Sequence, residues 1–169
     1  EEAMAEARKL QKEHPDRALG FAIEGEILSE QKKWNEAAAA YREGLVRQPL
    51  PFLAIARYSA VESAEKPTDA IEVANKWIKD HPKDAVFQLF LADQSQVKKD
   101  YRTAVPHYRA ALANEPDSLP ILNNLAYVLT ELGDSKAAAG IAERAYVQAP
   151  FNVNVIDTFG WALVQSTAL

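Results

Sequence analysis

Five prolines set the period of this chain: Pro15, Pro49, Pro82, Pro116 and Pro150 are separated by 34, 33, 34 and 34 residues. Twelve residues before each stands an alanine, Ala3, Ala37, Ala70, Ala104 and Ala138. Eight before come Ala7, Tyr41, Ala74, Tyr108 and Ala142, and five before come Leu10, Gly44, Trp77, Ala111 and Ala145. Offsets of about four and three residues stack on one face of an α-helix. A proline lacks the amide and fixes the backbone, so each copy is a helix with a packing face and a built-in stop. The stretch Trp34 to Pro49 is the fullest statement of the pattern, and a period of this length means a repeat array.

Composition agrees with a wholly helical fold. Of 169 residues 48% are hydrophobic, alanine is abundant, and the six glycines are scattered and never paired. A formal net charge of -5 lacks the basic stripe that nucleic-acid backbones require. With no cysteine there is no disulfide framework, thiolate nucleophile or thiolate metal site. Apolar runs such as Ala37 to Tyr41 fall far short of the roughly 20 residues that span a bilayer. No signal peptide is visible, and a start partway through a repeat leaves room for an upstream targeting segment.

The punctuation divides the sequence into a lone second helix (1–15), four helix-turn-helix repeats (16–49, 50–82, 83–116, 117–150) and a lone first helix (151–169), ten helices in all. In the first repeat Asp16 is expected to cap a helix carrying Phe21, Gly25 and Leu28 on one face, with Gly25 at the closest approach to its partner. The second repeat is one residue short. Its first helix is placed at Phe52 to Ala64 and the deletion at Lys66-Pro67-Thr68, with Thr68 capping a second helix that runs from Asp69 to Asp80. In the third, Asp84 caps, Leu91 and Ala92 pack closely, and Pro106 lies near enough to a helix start to cause no break, at most a late start. In the fourth, Ser118 caps, Leu122, Leu125, Ala126 and Leu129 face inward, and Gly133 supplies a positive φ. The last helix is expected from Asn154 to Gln165.

A 34-residue unit with small residues at a tight crossing, Ala-x-x-x-Tyr-x-x-Ala in its second helix and a terminal proline resembles the tetratricopeptide repeat. The resemblance covers essentially the whole sequence and implies an all-α, right-handed superhelical α-solenoid. Gln88 at a position commonly aromatic or aliphatic, Gly44 in place of alanine, and the short second repeat depart from the pattern. More narrowly, ILNNLAYVLTELGD from Ile121 and VIDTFGWALVQ from Val155 are similar to bacterial repeat-containing lipoproteins of PEP-CTERM/exosortase exopolysaccharide systems. That likeness implies a fragment of a cell-envelope, periplasmic lipoprotein serving polysaccharide export or surface protein sorting, with its anchor cysteine outside this stretch.

Catalytic signatures are missing. No HExxH, GxSxG, P-loop or dinucleotide fingerprint occurs, and His14, His81 and His107 are far apart in sequence, two of them directly before helix-stopping prolines. These read as structural, so no catalytic residue, cofactor site or metal site is assigned. Relatives of this kind bind through the inner face of their first helices. With the packing face fixed, 3-4-3 spacing selects the stripe: Leu19, Ala22, Glu26 and Ser29; Leu53, Ala56, Ala60 and Ser63; Val86, Leu89, Asp93 and Gln96; Asn123, Tyr127 and Thr130; Asn154, Asp157, Trp161 and Val164, with Glu30 and Glu131 at its edge. Glu26, Leu89, Asp93, Asn123, Tyr127, Glu131, Asp157 and Trp161 are the candidate protein-binding residues.

The stripe has carboxylates and no lysine or arginine, the wrong sign for the basic clamp with which related co-chaperones hold an acidic tail. It suits a protein or peptide segment with aliphatic and basic side chains, anchored on Tyr127 and Trp161. The expected function is a non-catalytic protein-binding scaffold. The alternative is a regulatory or substrate-docking module of a larger enzyme, and glycan stacking on Tyr127 and Trp161 is a third reading. Apolar faces at the two ends predict self-association as a homodimer.

Overall fold

The computed structural model describes residues 1–167. Within them the protein forms α1 (Glu2–Glu13), α2 (Leu19–Glu30), α3 (Trp34–Arg47), α4 (Pro51–Ser63), α5 (Pro67–Asp80), α6 (Ala85–Val97), α7 (Tyr101–Asn114), α8 (Leu119–Glu131), α9 (Ser135–Gln148) and α10 (Val153–Thr167). The elements fall into two compact units, α1–α5 up to Pro82 and α6–α10 from Lys83 onward. In each unit every helix packs on the next in sequence, and in the second α8 also packs on α10. The expected all-α tetratricopeptide architecture, first and second helices alternating, is what the molecule adopts.

Local sterics end every second helix in the same way. The C-cap residue always precedes the proline, and its φ is extended: -133° at His14, -141° at Gln48, -132° at His81, -127° at Glu115 and -139° at Ala149. Proline's δ-carbon forbids the helical conformation to the residue before it. The amide of that residue still closes the last turn, as His14 N–H does on Leu10 O at 2.8 Å.

First helices end differently. Lys32, Glu65 and Lys99, all at φ 58°, and Gly133 at φ 80° take the left-handed conformation. The following amide then bonds back across the turn, Asp100 N to Ser95 O at 2.9 Å and Asp134 N to Leu129 O at 3.0 Å, which is a Schellman closure. Only Gly133 carries the glycine that announces such a turn.

These turns relocate the missing residue of repeat two. Each left-handed residue lies 17 positions before its repeat's terminal proline, Glu65 included, so the turn at Glu65-Lys66-Pro67 has full length. The deletion lies before it: α4 begins two residues after Pro49, whereas α6 and α8 begin three after Pro82 and Pro116. Pro67 occupies the first position of α5, where its missing amide costs nothing, and Thr68 lies inside the helix instead of capping it.

The proline-anchored lattice forms the core. Ala37, Tyr41 and Gly44, Ala70, Ala74 and Trp77, Ala104, Tyr108 and Ala111, and Ala138, Ala142 and Ala145 are all buried. In α1, packed by α2 alone, Ala7 is buried, Leu10 half-buried and Ala3 exposed. A Cβ on Gly25 would overlap the Tyr41 ring, so the close approach predicted there is real and its partner is that ring.

Among the caps, Asp84 accepts from Val86 N at 3.0 Å and Phe87 N at 3.2 Å, while Ser118 holds the N-cap position without a side-chain bond. Asp16 does not cap α2. The helix starts three residues later, and Ala18 N–H donates to Gln48 Oε1 at 2.9 Å from across the repeat. α7 runs through Pro106 without a break or a late start. Gln88 is buried and lies 2.8 Å from His107 Nδ1, so a polar pair fills a place that is commonly apolar in such repeats.

Candidate functional site

The stripe on the first helices is partly spent on internal bonds. In repeats one and three the second helix carries tyrosine eight residues before its proline, and the phenol crosses the repeat to the stripe. Tyr108 is fully buried, and its hydroxyl lies 2.6 Å from Asp93 Oδ1 and 2.5 Å from Gln96 Oε1. One proton cannot serve both, and the charged acceptor takes it. Asn124 Nδ2 donates to the same carboxylate at 3.3 Å, so Asp93 ties α6, α7 and α8 together. Burial first, then the adjacent Asp93, pushes the Tyr108 phenol far up.

Tyr41 makes a looser version of this bridge, donating to Glu26 Oε2 at 3.4 Å with Ser29 Oγ at 3.3 Å, and its phenol is raised chiefly by burial. Repeats two and four have Ala74 and Ala142 at that place, and alanine cannot make the crossing. Asp93 is therefore a structural group of its unit as much as a binding residue. The signal was present in the sequence, an acid 15 residues before each lattice tyrosine.

The remaining candidates separate cleanly. Leu89 is half-buried against the core of the second unit. Asn123 is half-buried, and its Oδ1 is sealed from solvent without a hydrogen-bond partner. Tyr127 is half-buried with its ring edge-on to Tyr101, centroids 6.3 Å apart. A hydrogen bond with Tyr101, slight burial and the charge of Glu131 one turn on raise its phenol. Glu131 and Asp157 are exposed and form no ion pair among the described residues. Trp161 is 47% exposed, one turn beyond Asp157 on α10. Tyr127, Glu131, Asp157 and Trp161 thus sit on two helices that pack against each other, α8 and α10. Glu26 belongs to the first unit.

Three stripe assignments are corrected. Thr130 is buried and its hydroxyl donates back to Ala126 O at 2.9 Å. Leu53 and Ala60 are core residues of α4, buried like Ile121 and Val128 at the matching places of α8. Counting from Pro49 misplaces the stripe of repeat two: with the deletion ahead of α4 every position moves back by one, to Phe52, Ile55, Ser59 and Glu62. One residue is about 100° of helix, enough to exchange stripe for core.

Among the described residues no group of three or more histidine, cysteine, aspartate or glutamate side chains could hold a metal ion. No helix there is long and apolar enough to cross a membrane.

Residues 98–153 match the family described as tetratricopeptide repeat. No protein of curated function matches the sequence significantly. Among solved structures, MamA protein superimposes with a TM-score of 0.65 at 17% identity, over 87% of this chain and 81% of its own. YrrB, a TPR protein with an unusual peptide-binding site, superimposes with a TM-score of 0.55 at 14% identity, over 91% of this chain and 80% of its own. At such identities the likeness is one of fold. Residues 98–153 thus match the tetratricopeptide repeat by sequence, and over most of its length the chain shares the fold of such solved structures.

Proposed function

We propose that this protein is a non-catalytic scaffold that binds a partner protein through the α8–α10 part of its first-helix stripe. The observation that carries the reading is the grouping of a half-exposed Trp161 and the Tyr127 ring with two unneutralised carboxylates, Glu131 and Asp157, on packed helices. Aromatic side chains concentrate binding energy, and carboxylates without internal partners select basic side chains and repel acidic ones. A segment alternating aliphatic and basic residues suits such a surface. That YrrB is a TPR protein with a peptide-binding site supports peptide recognition on the shared fold. The similarity of the stretches from Ile121 and Val155 to bacterial envelope lipoproteins supports a setting in the cell envelope and in polysaccharide export or surface protein sorting.

The test is a fluorescence titration of the protein with a labelled peptide of alternating lysine and leucine, and with its glutamate counterpart. Binding of the lysine peptide alone, weakened at least tenfold in a Tyr127→Ala, Trp161→Ala variant of unchanged helicity, is expected. Equal binding of both peptides, or no loss in the variant, refutes the site. Capture from bacterial envelope extract with the same pair of proteins tests the setting.

A further inference from the structure

The first unit has a second groove, on the side of its second helices, with chemistry opposite to that of the stripe. α3 and α5 form its walls through Leu45, Val46, Val73 and Trp77, α4 forms its floor, and the volume is about 340 Å³. The floor carries Arg57 and the α3 wall carries Arg42.

Arg57 is unlike its counterparts in the second unit. It stands eight residues before its left-handed turn residue, and the same place in repeats three and four is held by Leu91 and Leu125, both buried in the core. Repeat two therefore presents a guanidinium where repeats three and four have a core leucine and repeat one has Glu24. Burial, and then repulsion from Arg42, hold that guanidinium below its ordinary pKa. No carboxylate among the described residues forms an ion pair with it: Asp69 and Glu72 line an adjoining cavity together with Arg57 but do not pair with it. The carboxylate in the groove itself, Asp80, is already bound by Lys76 at 2.7 Å. His81 lies against the Trp77 ring, centroids 3.9 Å apart. Arg42 has only a long contact of 3.8 Å with Glu43, both side chains being well exposed. The groove thus holds two cations in excess of its own carboxylate, beside apolar walls, and neither Arg42 nor Arg57 has an internal ion pair closer than the 3.8 Å contact of Arg42.

The second unit contains the same groove with a different floor. Arg109 matches Arg42, Leu112 matches Leu45 and Arg144 matches Lys76, each pair at equal distance from its proline, and the floor is Leu125 and Leu129. Arg144 there is taken up by a bond of 2.6 Å to Pro116 O. What distinguishes the first groove is Arg57.

We propose that the α3–α4–α5 groove is a second peptide-binding site, specific for a carboxylate, from an acidic side chain or the C-terminal end of a peptide, that adjoins an aliphatic or aromatic side chain. Charge complementarity decides the occupant. A guanidinium pairs with a carboxylate through two parallel hydrogen bonds, and the strength of that pair grows as water is excluded. The leucine and valine walls accept the neighbouring apolar side chain. The site does not depend on the proposed use of the α8–α10 stripe, which lies in the other unit and selects the opposite charge, so either can fail alone.

The test is an NMR titration of the whole protein with the N-acetylated tripeptide leucine-glutamate-phenylalanine amide, its glutamine analogue and octanoate. The glutamate peptide is expected to shift the Trp77 indole and the Arg57 Nε resonances, with the glutamine analogue at least tenfold weaker. Arg57→Leu installs the residue that repeat four carries at this place, so the fold is retained, and it should abolish the response. Arg109→Gln in the other groove should leave it unchanged. Equal binding by Arg57→Leu, equal binding of the glutamine analogue, or no shift at Trp77 and Arg57 overturns the site. Saturation by octanoate with none by the peptide overturns the peptide assignment.

Discussion

Replacing Tyr108 by phenylalanine isolates the bridge between core and stripe. The ring stays, so no cavity opens, and only the hydroxyl is removed. That hydroxyl is fully buried and bonds at 2.6 Å to Asp93, a half-buried carboxylate that then keeps only Asn124 at 3.3 Å. Hydrogen bonds to charged acceptors contribute about 1.5–3 kcal/mol, and leaving the acceptor under-satisfied places the loss in the upper part of that range. Tyr41→Phe removes the matching bonds of repeat one, at 3.3 and 3.4 Å, to Ser29 and the exposed Glu26. Geometry that long and that wet is worth about 0.5 kcal/mol. At about 2–4 °C per kcal/mol for a protein of this size, Tyr108→Phe should lower the melting temperature by roughly 4–10 °C and Tyr41→Phe by no more than about 2 °C. Because the array is built from neighbouring interfaces, amide hydrogen exchange should quicken across α6–α8 in the first variant while α2 and α3 stay protected. Equal losses in the two variants, or a Tyr108→Phe loss under about 0.5 kcal/mol, would refute the argument that Asp93 is a structural acceptor.

Gly25→Ala places a Cβ in steric overlap with the Cε1 and Cδ1 carbons of the Tyr41 ring and should cost about 1–3 kcal/mol by urea denaturation, with the penalty reduced in a Tyr41→Leu background. Lys99 holds φ 58° where Gly133 holds 80°, so Lys99→Gly should stabilise and Gly133→Ala destabilise, each by about 1 kcal/mol, because an L side chain is strained in the left-handed region. Burial holds the His107 imidazole below its ordinary pKa, so the unfolded state takes up the proton first as pH falls. The stability from neutral His107 is complete above about pH 6.5 and is lost progressively below it; the melting temperature should fall more between about pH 8 and 5.5 in the parent than in a His107→Gln variant.

Features that depend on covalent spacing were legible in the sequence. The proline stops, the alanine lattice and the ten helices follow from an offset counted within one helix and a steric rule between adjacent residues, and neither needs knowledge of a partner. Gly25 was legible for the same reason: the lattice fixes which face approaches, and a glycine on it marks the closest point. The place of the missing residue was not, because a 33-residue interval is compatible with a deletion anywhere between Pro49 and Pro82, and Pro67 offered a conspicuous wrong position. The left-handed turns decide it, and three of the four are made by lysine or glutamate, which carry no turn signal. Tertiary structure alone also decided which polar groups are free. Asp93 is occupied because a tyrosine 15 residues on is long enough to cross a repeat, Ala18 is capped from Gln48 30 residues away, and Arg57 faces a groove because it stands at the place where Leu125 floors the matching groove of the second unit. Sequence alone determined where helices run and which faces the second helices bury, since both are set by contacts within a few residues; the face of α4 and the free charges of each groove depend on which side chains meet across helices, and that is settled only by packing.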